Sequence, residues 1–181
     1  MTDSRGQKGY KTVQIICFLA GLLAAIAADQ WTKALAVSHL KGQPPFVVID
    51  GVFELLYSEN RGAAFGMLQG RQGFFFLVAL VVVAAVIYFL WRMPVKRKYV
   101  PMTVCLFLIA AGAVGNMIDR VSQGYVVDFL YFKLINFPIF NVADCYVTAA
   151  TALLLILLVF YYKDEDLAVF SLKLKKGRQH D

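Results

Sequence analysis

Long apolar runs alternate with short polar clusters along this chain, and the runs are of membrane-crossing length. Residues 13–37 are apolar except for Gln14 and a polar break at Asp29-Gln30-Trp31-Thr32-Lys33, and Phe74 to Trp91 is unbroken. Residues 100–118 are interrupted mainly by Pro101 and Thr103, and residues 146–162 carry only Thr148 and Thr151. About 20 residues at 1.5 Å rise cross a hydrocarbon core of roughly 30 Å. The pattern therefore predicts four transmembrane helices, over about 13–37, 72–92, 100–121 and 142–162.

The connection from Ser38 to Arg71 has a different period. Phe46 to Ile49 and Val52 to Tyr57 are β-prone runs joined by Asp50-Gly51, a favoured two-residue hairpin turn. A small hairpin within an outer β loop, over about 43–60, is expected between helices one and two. Two strands alone are marginal in water, so the hairpin needs support from the membrane or from another outer loop.

Flanking charges orient the spans. Residues 1–12 hold Arg5, Lys8 and Lys11; the 92–98 loop holds Arg92, Lys96, Arg97 and Lys98; the tail 163–181 holds Lys163, Lys173, Lys175, Lys176 and Arg178. With four spans these segments share one side, and the excess of Lys and Arg makes that side cytoplasmic. Both termini are then cytoplasmic, and the window from Gly112 to Asp144 faces outward. Trp31, Trp91, Tyr99, Tyr125, Tyr131, Tyr161 and Tyr162 stand near helix ends, where interfacial aromatics anchor. Residues 1–28 also fit a cleavable leader, with a basic start, an apolar core and small residues at Ala25-Ile26-Ala27-Ala28. The first span thus reads either as an anchor or as a removable signal.

Composition narrows the class. With 60% apolar and 17% charged residues, a soluble domain is excluded, and 1–181 reads as a single integral membrane domain: an all-α membrane protein with a small extracytoplasmic β-hairpin. Cys17, Cys105 and Cys145 lie in or beside apolar runs without CxxC spacing, and only His39 and His180 accompany them, so neither a disulfide framework nor a zinc site is implied. No metal and no cofactor is expected. The net charge of +6 does not point to nucleic acid. The basic tail lacks interleaved aromatics, and anionic lipid headgroups suit it better.

Acidic residues are few, 12 in all, yet Asp119, Asp128 and Asp144 fall within the outward window. Membrane-edge carboxylates are costly to insert and therefore mark function. Asn116, Asp119 and Arg120 share a helix face, where a scaffolding role and a substrate contact are both open, and Gly112 and Gly115 suit close helix approach. Asn141 and Asp144 suit a helix N-terminus as cap and first-turn acid. Asp128 stands in an apolar frame, Val126-Val127-Asp128-Phe129, and antiparallel spans three and four can bring it to Asp144. Two carboxylates sharing one site cannot both ionise cheaply, which leaves an acid and a base for activating a water. That is aspartic-protease chemistry. Asp29 and Lys33, four apart, can pair across one helical turn as an exposed pair. Ser58 or Ser122 with Lys33 or Lys133 offers a serine–lysine dyad, with no local pattern to single it out. A proton-coupled transporter and a purely structural subunit also remain, although no span carries a charge near its middle, as a relay requires.

Five segments together resemble the lipoprotein signal peptidase (signal peptidase II) family. They are Asp29-Gln30-Trp31-Thr32-Lys33, Asn60-Arg61-Gly62-Ala63-Ala64-Phe65-Gly66, Gly115-Asn116-Met117-Ile118-Asp119-Arg120, Val126-Val127-Asp128-Phe129-Leu130 and Phe140-Asn141-Val142-Ala143-Asp144. The resemblance implies a bacterial cytoplasmic (inner) membrane peptidase acting at the outer face. It removes signal peptides from prolipoproteins whose lipobox cysteine carries a diacylglyceryl group, cutting before that cysteine. It implies Asp128 and Asp144 as catalytic residues. Asp29, Asn60, Asn116, Asp119, Arg120 and Asn141 match positions that support the pair or contact substrate or a globomycin-type inhibitor, and Lys33, Arg61 and Gly62 of the same segments are expected beside them as substrate-binding or supporting residues. The resemblance further implies a β-cradle in the first outer loop and a retained first helix; a monomer among membrane lipids is expected.

Overall fold

The computed structural model describes residues 4–62 and 70–170. Motif residues 63–66 and the basic residues Lys173, Lys175, Lys176 and Arg178 lie outside them. Four helices form the bundle: α1 (Ser4–Leu40), α2 (Gln72–Arg92), α3 (Val100–Gln123) and α4 (Val142–Ile156), the last continuing through a π-turn at Leu157–Tyr161. Each is long and apolar enough to cross a membrane.

The first helix exceeds its expected span. Its polar residues at 29–33 do not end it, because α3 supplies partners for them, and it continues to Leu40. At 37 residues it is about 55 Å long, well over a hydrocarbon core. The excess carries Ala36 and Leu40 beyond the bundle, where they pack with Val127, Phe129, Leu55 and Tyr57.

Those last residues belong to a sheet. The expected hairpin forms from β1 (Phe46–Ile49) and β2 (Phe53–Asn60), with Gly51 at φ 68° in the turn. A third strand, β3 (Val126–Phe132), pairs antiparallel with β2 and completes the order β1-β2-β3. The support that a two-stranded hairpin requires therefore comes from the connection between α3 and α4. Glu59 pairs with Val127 and Asn60 with Val126 in this register, and Ser58 faces Asp128.

Small residues let α3 pack closely against α4 and α1. A Cβ on Gly112 would lie 2.5 Å from the carbonyl oxygen of Ala143, and one on Gly115 would lie 2.5 Å from Asp29 Oδ2. Ala111 and Ala143 are fully buried beside them. Trp31 and Trp91 are exposed, as interfacial anchors should be, but Tyr99 and Tyr162 are not anchors. They stack on each other at 5.6 Å inside the protein, because residues after the fourth span fold back. A short helix, α5 (Asp164–Leu167), and the turn Ala168–Phe170 return onto the ends of α2 and α3. There the Tyr88 hydroxyl donates to Phe170 O, Arg92 to Val169 O and the Tyr99 hydroxyl to Asp166 O.

The close approach of α3 and α4 gives a direct test of packing. Gly112→Ala meets a backbone carbonyl that cannot step aside, so thermal unfolding in detergent should show a loss of roughly 1–3 kcal/mol. Gly73→Ala, where a Cβ meets nothing within 4 Å, should leave the unfolding temperature unchanged or slightly raised.

Candidate active site

The polar centre is built on one buried ammonium. Lys33 Nζ lies 2.9 Å from Asp29 Oδ2 and 3.0 Å from Asp119 Oδ2, and donates to Asn116 Oδ1 at 2.9 Å. Three protons meet three acceptors. The expected exposed i,i+4 pair is thus a buried one with a second acid, Lys33 being 3% and Asp29 0% exposed.

Each partner of Lys33 reaches a further element. Asp29 Oδ1 accepts the N–H of Ala143 in α4 at 2.9 Å, and Asp119 Oδ2 accepts the N–H of Val127 in β3 at 3.1 Å. Gln30 joins Asp29, Asp119 and the Gly115 carbonyl. The ion cluster consequently ties α1 and α3 to the two segments that carry Asp128 and Asp144.

Those two carboxylates line one cleft of about 740 Å³. Asn60 Nδ2 donates to Asp128 Oδ2 at 2.9 Å, and Asn141 Nδ2 donates to Asp128 Oδ1 at 2.7 Å. Asp144 Oδ1 accepts from Asn116 Nδ2 at 2.8 Å. Asn141 also caps α4: its Oδ1 takes the N–H of Asp144, and Asp144 Oδ2 takes the N–H of Asn141. The cap and the paired acids are therefore one arrangement. Every amide here is fixed from both ends, since Asn60 Oδ1 accepts from Gly62 N and Asn116 Oδ1 from Lys33 and Asn141. Among the described residues no buried side-chain polar atom lacks a partner.

Burial pushes the Asp128 carboxyl up to about 7; the Asn60 hydrogen bond opposes the rise, and the nearby charge of Asp144 adds to it. Both of its oxygens accept hydrogen bonds, which favour the ionised form, so desolvation and the second carboxylate outweigh them.

Arg120 closes one side of the cleft. Its guanidinium lies 4.2 Å above the Phe75 ring and donates to the Gly62 carbonyl at 3.0 Å. Phe132, Phe137 and Phe140 line the cleft from β3 and the segment that follows, and Cys145, Thr148, Ala149 and Ala152 line it from α4. Arg61 stands apart. It pairs with Glu59 at 3.2 Å and lies over Tyr125 on the surface. Of the residues singled out in sequence, Asp29, Lys33, Asn60, Asn116, Asp119, Arg120, Asn141, Asp128 and Asp144 gather here, and Gly62 joins through its backbone. The serine–lysine alternative finds no free amine, because Lys33 pairs with two aspartates and Lys133 with Glu54.

Gln30, the N–H groups of Ala143 and Val127, and Phe75 escape sequence reasoning. In sequence, Gln30 is visible only as a member of the Asp29-to-Lys33 segment, with no role of its own. Backbone donors leave no trace in residue identity.

Fold and site together define a multi-pass membrane protein with paired carboxylates at one end of a four-helix bundle. The family model for signal peptidase (SPase) II matches residues 21–160. The lipoprotein signal peptidase of Streptococcus thermophilus is 40% identical over 145 residues, covering 80% of this chain and 92% of that protein. That of Symbiobacterium thermophilum is 45% identical over 139 residues, covering 76% and 90%. A bacterial membrane enzyme solved by the in meso method superposes with a TM-score of 0.70 at 34% identity, covering 82% of this chain and 96% of that one. The chain belongs to the signal peptidase II family, and it is a membrane peptidase.

Removing the central cation should be costly. Lys33→Met leaves Asp29 and Asp119 buried without their counter-charge and should lower stability by on the order of 3–5 kcal/mol, read from thermal unfolding in detergent. Lys41→Met, at an exposed pair with Glu59, should change it little.

Proposed function

We propose that the chain is an aspartic endopeptidase that cuts signal peptides from diacylglyceryl-modified bacterial prolipoproteins, immediately before the lipid-bearing cysteine. The observation that carries this reading is the pairing of Asp128 with Asp144 on one cleft, held by Asn60, Asn116 and Asn141. The relatives' name supplies the substrate class.

In this mechanism a water lies between the two carboxyl groups. Asp144, ionised, takes its proton as the oxygen attacks the scissile carbonyl. Asp128, protonated, donates to the carbonyl oxygen as the tetrahedral intermediate forms. When the C–N bond breaks, the proton on Asp144 passes to the departing amine and the hydroxyl of the intermediate returns its proton to Asp128. Water is added across the bond and both carboxyl groups regain their starting states. The protein's own task is positional and electrostatic: fixed amides aim both carboxyls, and the apolar walls exclude bulk water.

The same walls suit the substrate. A signal peptide and two acyl chains present apolar surface to Phe132, Phe137 and Phe140, and only the scissile peptide needs polar company. Globomycin-type inhibitors would occupy this cleft. The Lys and Arg asymmetry supports cytoplasmic termini, which puts the cleft at the outer face of the cytoplasmic membrane in a single integral domain. Asp29, Lys33 and Asp119 act as positioning residues, through Asn116 and the backbone of Ala143 and Val127. A monomer meets this reading, since one chain supplies both carboxyls.

Purified protein with a diacylglyceryl-modified lipobox peptide tests it. Asp128→Asn and Asp144→Asn should each reduce cleavage by roughly 10²–10⁴-fold while the protein stays folded by thermal unfolding. Cleavage retained in either folded variant would remove that residue from the reaction.

The acid assignment makes a separate prediction. Asp128 must hold its proton, so kcat/KM should fall as pH rises through about 7, by roughly tenfold per unit once well above it. A profile flat to pH 9 would reassign the acid.

A further inference from the structure

At the end of the bundle opposite the carboxylates, α1 and α3 enclose a second cleft of about 520 Å³. Its walls are Val13, Cys17 and Phe18 from α1 with Val100, Val104 and Phe107 from α3. The seam is shut beyond it, where Gly21 lets α1 settle on the Phe107 ring: a Cβ there would come within 3.1 Å of that ring. The Phe107 ring also meets Phe18 edge-on at 6.4 Å, which makes a firm apolar floor.

The mouth of this cleft is cationic. Lys96 and Arg97 line it, both exposed and neither in an ion pair among the described residues. This sets them apart from their neighbours. Lys98 is taken by Asp166, and Lys11 by the Leu90 and Met93 carbonyls at 2.7 and 2.8 Å. Lys11 also donates to Gln14 Oε1 at 2.9 Å, which fixes that amide and leaves its Nε2 without an acceptor among the described residues. Gln14 lines the cleft as well. Two free cations and an unused amide donor thus stand over an apolar slot, at the level where a bilayer has its headgroups.

We propose that this cleft holds an anionic phospholipid of the leaflet at that end. Its phosphate lies between Lys96 and Arg97 with Gln14 as a further donor, and one acyl chain lies on Phe107. Charge complementarity favours this occupant: a zwitterionic lipid offers the same phosphate but brings its own cation to the mouth, and a signal peptide's basic start would be repelled. The assignment is independent of the peptidase reading. Along α1, Gln14 and Asp29 are separated by 15 residues, about 22 Å.

The full chain in nanodiscs containing phosphatidylglycerol with a photoactivatable acyl chain provides the test, with phosphatidylcholine carrying the same label as comparison. Peptide mapping should place phosphatidylglycerol cross-links on residues 13–18 and 100–107, with phosphatidylcholine labelling there several-fold weaker. Lys96→Gln/Arg97→Gln should reduce the phosphatidylglycerol labelling of these segments roughly tenfold. Val104→Trp, which fills the slot, should reduce it while leaving Lys96 and Arg97 in place. Equal labelling by both lipids, or undiminished labelling in the folded double variant, overturns the proposal. Cross-links confined to other segments do so too. Cleavage of a lipobox peptide, measured alongside, reports on the carboxylate site alone.

Discussion

A lysine ammonium buried between two aspartates is the constraint from which the rest of this structure follows. Lys33, Asp29 and Asp119 are each expensive to bring out of water, and a membrane-embedded bundle offers no solvent to relieve them. The cluster persists because its hydrogen-bonding capacity is met in full. Satisfying it recruits α1, α3, the start of α4 and the backbone of β3 into one geometry. Gly115 belongs to the same constraint, since any side chain there would enter the space of Asp29. An ion cluster of this kind contributes little net stability against an apolar replacement of the same shape. Its consequence is positional: β3 and α4 have one way to sit, and Asp128 and Asp144 are carried on them.

The proposed catalytic pair inherits its electrostatics from that placement. The fixed Asn side chains donate hydrogen bonds and hold the carboxyls still, while burial and the second carboxylate keep one proton in the pair near neutral pH. Had either acid stood free in a loop, solvent would have returned it to the ordinary carboxylate range. Lys33 also touches the pair at one remove, through Asn116, whose oxygen it holds and whose nitrogen faces Asp144.

The bundle was legible because a membrane leaves few choices. The second span occupies 72–92 as its unbroken apolar run requires, and Asp50-Gly51 turns the hairpin where a turn of that kind must fall. What escaped notice came from pairing across distant sequence. Residues 126–132 are β-prone throughout, but a strand is defined by its partner, and β2 lies some 70 residues earlier. The first helix carries its polar break at 29–33 without interruption because α3, which lies far along the chain, satisfies it. Tyr99 and Tyr162 looked like interfacial aromatics until the chain after Tyr161 turned back to bury them. Arg61 shows the converse: it sits within a family motif, yet its side chain serves the surface with Glu59 while the backbone of Gly62 serves the site.

Asn141 shows why a capping role and a part in the site need not compete. Serine, threonine and aspartate cap helices about as well as asparagine does. At this position the capping oxygen must accept from Asp144 N while another atom of the same side chain donates to both Asp128 Oδ1 and Asn116 Oδ1. A serine or threonine hydroxyl has one proton and cannot span both, and an ionised aspartate has no proton to donate and would set a third carboxylate against the pair. Only a side chain with an acceptor and two donors on one rigid plane meets all three demands, and glutamine, one methylene longer, would not cap. The helix start and the orientation of Asp128 are set by the same amide, so α4 cannot fray or shift without disturbing the carboxyl it faces.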